Sequence, residues 1–113
     1  MKTKLKTKLY LVTRADLDPG QQAVQAAHAL REFAALHPEE DIQWYRESNT
    51  LAFLAVPNEA SLELLLGRAQ GRAPVAPFRE PDRQDELTAL AIGPQGKSLC
   101  RGLPTALRDV VRA

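Results

Sequence analysis

The chain has 113 residues, 44% of them hydrophobic, which is the length of one ordinary domain with enough apolar material for a single core. Fifteen Lys and Arg against 14 Asp and Glu leave a net charge of +1, so no global field draws in nucleic acid and any RNA contact has to come from a local patch. Cys100 is the only cysteine, which excludes an internal disulfide and a Cys-rich zinc site, implies no metal and fits a reducing cytosol.

At the start, Lys2, Lys4, Lys6 and Lys8 alternate with Thr and Leu, so an extended chain puts four ammonium groups on one side. They form either a solvated lead-in whose lysines discourage edge pairing or an arm that attracts phosphate. The apolar run that follows, Leu9 to Val12, is too short for a signal segment or a membrane span. A soluble, cytoplasmic protein with no membrane partner is expected.

Leu9 to Thr13 is a near-continuous apolar run that suits a strand covered on both faces. Asp18-Pro19-Gly20 supplies turn chemistry, and the helix after it runs to about Leu36, where His37-Pro38 stops it. At roughly 100° per residue, Gln21, Gln25, His28 and Glu32 share an arc of about 60°, while Ala23, Ala26, Ala27, Leu30, Phe33 and Ala34 gather on the far side. The polar arc is expected to face outward. Glu39 to Asp41 opens a second segment toward Trp44. Thr50 to Val56 is the clearest buried strand, and Asn58 can cap a helix over Glu59 to Arg68. Val75 to Arg79 and Thr88 to Gly93 read as further strands, and Pro104 to Val111 as a closing helix. Strands alternating with helices give a three-layer α/β domain with a mostly parallel or mixed sheet. Dinucleotide, P-loop and serine-hydrolase signatures are absent.

The polar arc begins just past a strand's carboxyl end, where unpaired N–H groups at a helix start tend to meet ligands. His28 is either a solvated histidine or a general base that Gln25 and Glu32, one turn away, can orient. His37 reads as a cap or surface residue. The stretch from Phe78 to Glu86 packs six charged residues between two strands: an ordinary solvated loop, or a site where Arg79 and Arg83 pair phosphate oxygens and Glu80 serves as the working carboxylate. Thr88 opens the last strand, where threonine is common for its shape alone. Trp44, Tyr45 and Phe53 are core or half-buried residues, or offer stacking to a base. Cys100 is structural.

Three blocks together, LYLVTRADLDPG, AVQAAHA and TALAIGP, resemble type-2 peptidyl-tRNA hydrolases. The helix block is similar to the family's AAQ-x-x-HA signature, and the last to its TVLGIGP ending. The resemblance implies one domain over residues 1–113, a four-stranded mixed sheet with helices on both faces, and a protein that is often dimeric. The activity implied is hydrolysis of the ester between a peptide and the terminal ribose of tRNA, with no metal or organic cofactor. By position, His28 matches the family's helix histidine, Gln25 its glutamine, Asp16 the acidic residue after the first strand, Thr88 the threonine of the last strand, and Glu80 the loop aspartate. His28, Glu80 and Thr88 are then the expected catalytic residues, lining a common pocket. Arg14, Asp16, Gln21, Gln25, Arg79 and Arg83 are the expected substrate contacts, and backbone N–H groups near Gly20 to Gln22 the oxyanion donors. Two features depart from the family: its lysine-rich turn, GKGK, is replaced by DPGQQ, and the loop between Glu80 and Thr88 is shorter. The alternatives are a non-catalytic module on the same fold that binds RNA or a protein, and a hydrolase or transferase acting on another acyl substrate.

Overall fold

A computed structural model describes residues 7–108. Its elements in chain order are β1 (Lys8–Arg14), α1 (Pro19–Leu36), α2 (Pro38–Glu47), β2 (Thr50–Val56), α3 (Glu59–Ala69), β3 (Val75–Glu80), β4 (Glu86–Ile92) and the single turn α4 (Lys97–Cys100). The sheet order is β2-β1-β4-β3, with β1 and β2 parallel and β4 antiparallel to both of its neighbours. The four-stranded mixed sheet is the one the family resemblance implies.

Local chemistry explains the boundaries. Asp18 caps α1, its Oδ1 accepting the Gln21 N–H at 2.8 Å, and Pro19 occupies the first turn, where its missing N–H costs nothing. His37-Pro38 ends α1 and starts α2, and the His37 N–H closes on the Phe33 carbonyl. Asn58 caps α3 in the same manner, through Ser61 at 3.0 Å.

The sheet separates two cores. Tyr10, Val12, Leu54, Leu87, Leu90 and Ile92 pack against α3 and α4; Leu9, Leu11, Ala76, Ala89 and Ala91 pack against α1 and α2. The α1 side is lined by small residues on sheet and helix alike, Ala26 and Ala29 among them, which lets the helix lie close to the strands. Phe33, with no exposed surface, and Trp44 fill the remaining space.

Across β3 and β4 the register slips by one residue. Phe78 pairs with Ala89 and Arg79 with Leu87, so Thr88 has no partner on β3. This bulge interrupts the alternation of faces, and Thr88 and Ala89 both turn toward α1, while Leu87 and Leu90 face the opposite core.

Three expectations are corrected. The buried arc of α1 carries Gln22, Gln25, Ala26, Ala29 and Phe33, whereas Ala23 and Ala27 are exposed. The helix is therefore rotated by about a quarter turn from the apolar reading, because two glutamines find internal hydrogen-bond partners. Tyr45 is exposed rather than half-buried. Residues Pro104 to Arg108 are not helical, and the rest of the expected closing helix lies outside the described residues. Instead, Pro104 O accepts from Ala55 N at 2.9 Å and Ala106 N donates to Phe53 O at 3.0 Å, so this segment runs as a strap along the outer edge of β2. The open edge of a strand offers those groups the partners that a short terminal helix would lack. Lys8 is exposed at the head of β1; Lys2, Lys4 and Lys6 lie outside the described residues.

The packing predicts a sharp contrast between two substitutions. Phe33→Ala should lower the unfolding free energy by about 3–5 kcal/mol, whereas Leu64→Ala, at a position 63% exposed, should change it by no more than about 0.5 kcal/mol. Denaturant unfolding of both variants checks this.

Candidate active site

At the end of the sheet where β1 finishes and β4 begins, α1 crosses β3 and β4. Gln25 reaches from α1 into the sheet and has no exposed surface. Its Oε1 accepts the Thr88 hydroxyl at 2.7 Å, and its Nε2 donates to Glu80 Oε1 and to Gln21 Oε1, both at 3.0 Å. Both amide hydrogens and the carbonyl are thereby engaged. Thr88 is equally enclosed; its carbonyl accepts from the Thr13 hydroxyl at 2.9 Å. The bulge in β4 is what aims the Thr88 side chain at Gln25.

One turn after Gln25, the exposed His28 imidazole lies flat on the Phe78 ring, with centroids 4.5 Å apart and planes within 10°. Phe78 and Glu80 stand two residues apart on the α1 side of β3. The structure thus brings His28, Gln25, Glu80 and Thr88 together, but in two tiers. His28 and the half-buried Glu80 reach the surface, whereas Thr88 sits beneath Gln25 and lines no common hollow with them. The expectation that Thr88 lines a common pocket with His28 and Glu80 is corrected: its hydroxyl is enclosed and donates to Gln25.

Beside this group lies a second polar cluster. The buried Arg14 guanidinium pairs with both oxygens of Asp16 at 3.0 Å, with Glu86 Oε1 at 2.7 Å and with the Leu87 carbonyl at 3.2 Å; Arg83 Nε reaches the same Glu86 oxygen at 3.3 Å. The hydrogen bond from Arg14 holds the Asp16 and Glu86 carboxyls below their ordinary range, and the carboxylates in turn raise Arg14, which stays cationic. Arg14 is therefore committed to protein partners. Arg79 is not part of either cluster: its guanidinium forms a two-point pair with Glu63 of α3 at 2.9 and 3.0 Å, on the other side of the sheet. This corrects its expected place among the substrate contacts.

The start of α1 offers fewer donors than expected. Gln21 N–H goes to Asp18 Oδ1 and Gln22 N–H to the Asp18 carbonyl at 2.9 Å, and Pro19 has none, which leaves Gly20 as the N–H of this turn without an intramolecular acceptor among the described residues. Any oxyanion site here is narrower than the sequence suggests.

The model of the family described as Peptidyl-tRNA hydrolase PTH2 matches residues 7–108. The chain belongs to that family. A search of curated proteins finds no match to it. The peptidyl-tRNA hydrolase family match covers all of the elements that build the two clusters, including the turn where this member carries Asp18-Pro19-Gly20-Gln21-Gln22 in place of lysines.

Two residues at the site went unnoticed in the sequence. Phe78 supplies the platform under His28, and a period-two reading of β3 that places Glu80 on the α1 side places Phe78 there too. Gln22 is buried, donates to the Leu17 carbonyl at 2.8 Å and accepts from Leu107 N–H at 3.1 Å, tying the strap to α1; only the tertiary contact reveals it. His37 is the expected cap, with Nε2 2.9 Å from the Val75 carbonyl, and Cys100 is buried, its thiol pushed up to about 11 by desolvation.

The ion cluster carries a pH signature. Because Asp16 and Glu86 titrate below their unfolded values, their stabilisation is complete at neutral pH and is lost as pH falls from about 4 through their folded values. In Arg14→Met that loss should become shallower, measured as unfolding free energy between pH 7 and pH 2.

Proposed function

We propose that this protein hydrolyses the ester linking a peptide to the terminal ribose of tRNA. The observation that carries the reading is the exposed His28 imidazole, seated on Phe78 one turn from a wholly buried Gln25 that fixes the Glu80 carboxylate. Family membership supplies the substrate class.

In this reading a water molecule held between His28 and the outer oxygen of Glu80 attacks the ester carbonyl carbon, and its proton passes to the imidazole. The carbonyl electrons move onto oxygen. Collapse of the tetrahedral adduct breaks the bond to the ribose oxygen, which leaves with the electron pair and takes the proton back from the imidazolium. The products are a free peptide carboxyl and tRNA. Gln25 and Thr88 touch no reacting atom: Thr88 fixes the orientation of the Gln25 amide, and the amide fixes Glu80. Gln21 accepts from the same amide and keeps its second hydrogen from competing for Glu80.

A second reading, binding of RNA without turnover, is favoured by one observation. The turn at the start of α1 carries no ammonium, and Asp18 has taken two of its amide hydrogens. Peptide release separates the two. Tight tRNA binding with no release of peptide from peptidyl-tRNA would establish the second reading and end the first.

For the hydrolase, His28→Ala should lower kcat by about 10²–10⁴-fold, and Glu80→Gln should lower it in the same direction by less. Thr88 gives a finer test. Thr88→Ser keeps the donor to Gln25 and should retain activity, whereas Thr88→Val leaves the buried Gln25 carbonyl unpaired and should cost about 1–3 kcal/mol of stability together with a drop in kcat. Single-turnover release of labelled peptide, combined with thermal unfolding, reads both quantities.

A further inference from the structure

The α3 and α4 side of the sheet carries a group of cations within stretches of chain that hold no carboxylate. Residues 64–79 and 87–108 contain no Asp or Glu, although they hold six of the chain's arginines and lysines. Two of those lie elsewhere: Arg79 is paired with Glu63, and Arg108 sits beside Gln22 at the strap. The remaining four, Arg68, Arg72, Lys97 and Arg101, are all exposed and form no ion pair or side-chain hydrogen bond among the described residues.

The fold gathers them. Arg68 lines a hollow between α3 and the α4 region together with Leu99 and Leu103, the residues that flank Arg101 two positions away on either side. Arg72 precedes Ala73, and Lys97 follows Gly96, where a side-chain carbon would come within 3.5 Å of Ala73 Cβ. The Gly93 N–H closes the same corner on the Pro74 carbonyl at 2.8 Å. Across the sheet the balance is reversed: residues 31–47, covering the end of α1 and all of α2, hold five carboxylates and two arginines. The near-neutral net charge therefore conceals two layers of opposite sign.

We propose that Arg68, Arg72, Lys97 and Arg101 form a docking surface for the phosphate backbone of an RNA helix. The inference rests on the peptidyl-tRNA reading of the site on the α1 face of the sheet and names what holds the body of that substrate. His28 lies on the α1 face of the sheet and these cations on the α3 and α4 side, so a tRNA whose terminal ribose sits at His28 has to pass around the protein's flank to reach them. Exposed guanidinium and ammonium groups with no ion pair among the described residues suit phosphate oxygens. No aromatic residue lies in residues 64–77 or 87–108, so the surface offers nothing on which unpaired bases would stack. A duplex, presenting phosphates and sugars rather than open base faces, is the form it fits.

The test is equilibrium binding of deacylated tRNA over a range of salt, with the parent and with a variant carrying Arg68→Gln, Arg72→Gln, Lys97→Gln and Arg101→Gln. At about 0.7–0.9 in slope per phosphate contact, the variant should lose about 3 from the slope of log affinity against log salt, and bind at least about tenfold more weakly in 0.1 M salt. Arg72→Gln and Arg101→Gln alone should each remove about 1, which keeps the test valid if the fourfold variant fails to fold. An unchanged slope and affinity would overturn the proposal. So would a parent that binds vesicles containing phosphatidylserine but not tRNA. Release of peptide from peptidyl-tRNA is measured separately: a parent with a patch-dependent slope and no release would retain the docking surface and lose the catalytic reading.

Discussion

A single buried amide organises the candidate site of this protein. Gln25 is enclosed with both of its N–H groups and its carbonyl engaged, by Glu80, Gln21 and Thr88. In a low-dielectric interior each of those bonds is hard to replace, since an orphaned partner keeps its full desolvation cost. The arrangement constrains everything around it. α1 must lie close to the sheet, which the alanines on both surfaces permit, and Thr88 must point toward α1, which normal strand alternation would forbid. The bulge in β4 resolves that conflict, and with it the position of Glu80 is set from beneath while His28 is set from the side by Phe78.

The charges are partitioned as firmly as the cores. Around Arg14, two carboxylates and a backbone carbonyl neutralise a buried guanidinium, a network in which loss of one member leaves the others exposed to desolvation without compensation. On the α3 and α4 side of the sheet, four cations stand in solvent with no such partners among the described residues. A chain with almost no net charge can hold both arrangements because α2 carries the balancing carboxylates on the far layer. Net charge describes the long-range field, and it says little about where phosphate would find local attraction.

The strands and the helices α1 and α3 are legible in the sequence because their signals are local, whereas the segment after Glu39 carries no clear sign that it forms the helix α2. Thr50–Val56 is an apolar run ended by Pro57, and α1 and α3 each open on a side chain that can cap. The face of α1 was not legible. Hydropathy places glutamine outward, and only the tertiary contacts of Gln22 and Gln25 reverse that assignment. The same limit applies to Thr88 and Arg79: their proximity to Glu80 in sequence is plain, but a one-residue register slip and the Glu63 pair decide which side of the sheet each occupies. Pro104 suits the first turn of a helix toward Val111, but the free edge of β2, invisible without knowledge of strand order, gives the backbone of residues 104–106 better partners. His28 and Glu80 were selected by motif position, and the stacking on Phe78 is a physical arrangement that no motif expresses.

The two flanks of the sheet also bear on how copies of the chain can meet. On β3, Pro77 presents no donor along the outer rim, and the neighbouring Val75 carbonyl is occupied by the His37 ring. On β2, the strap satisfies the backbone from Phe53 to Ala55. Both rims are thereby interrupted over part of their length, which limits the growth of a continuous intermolecular ladder on these strands.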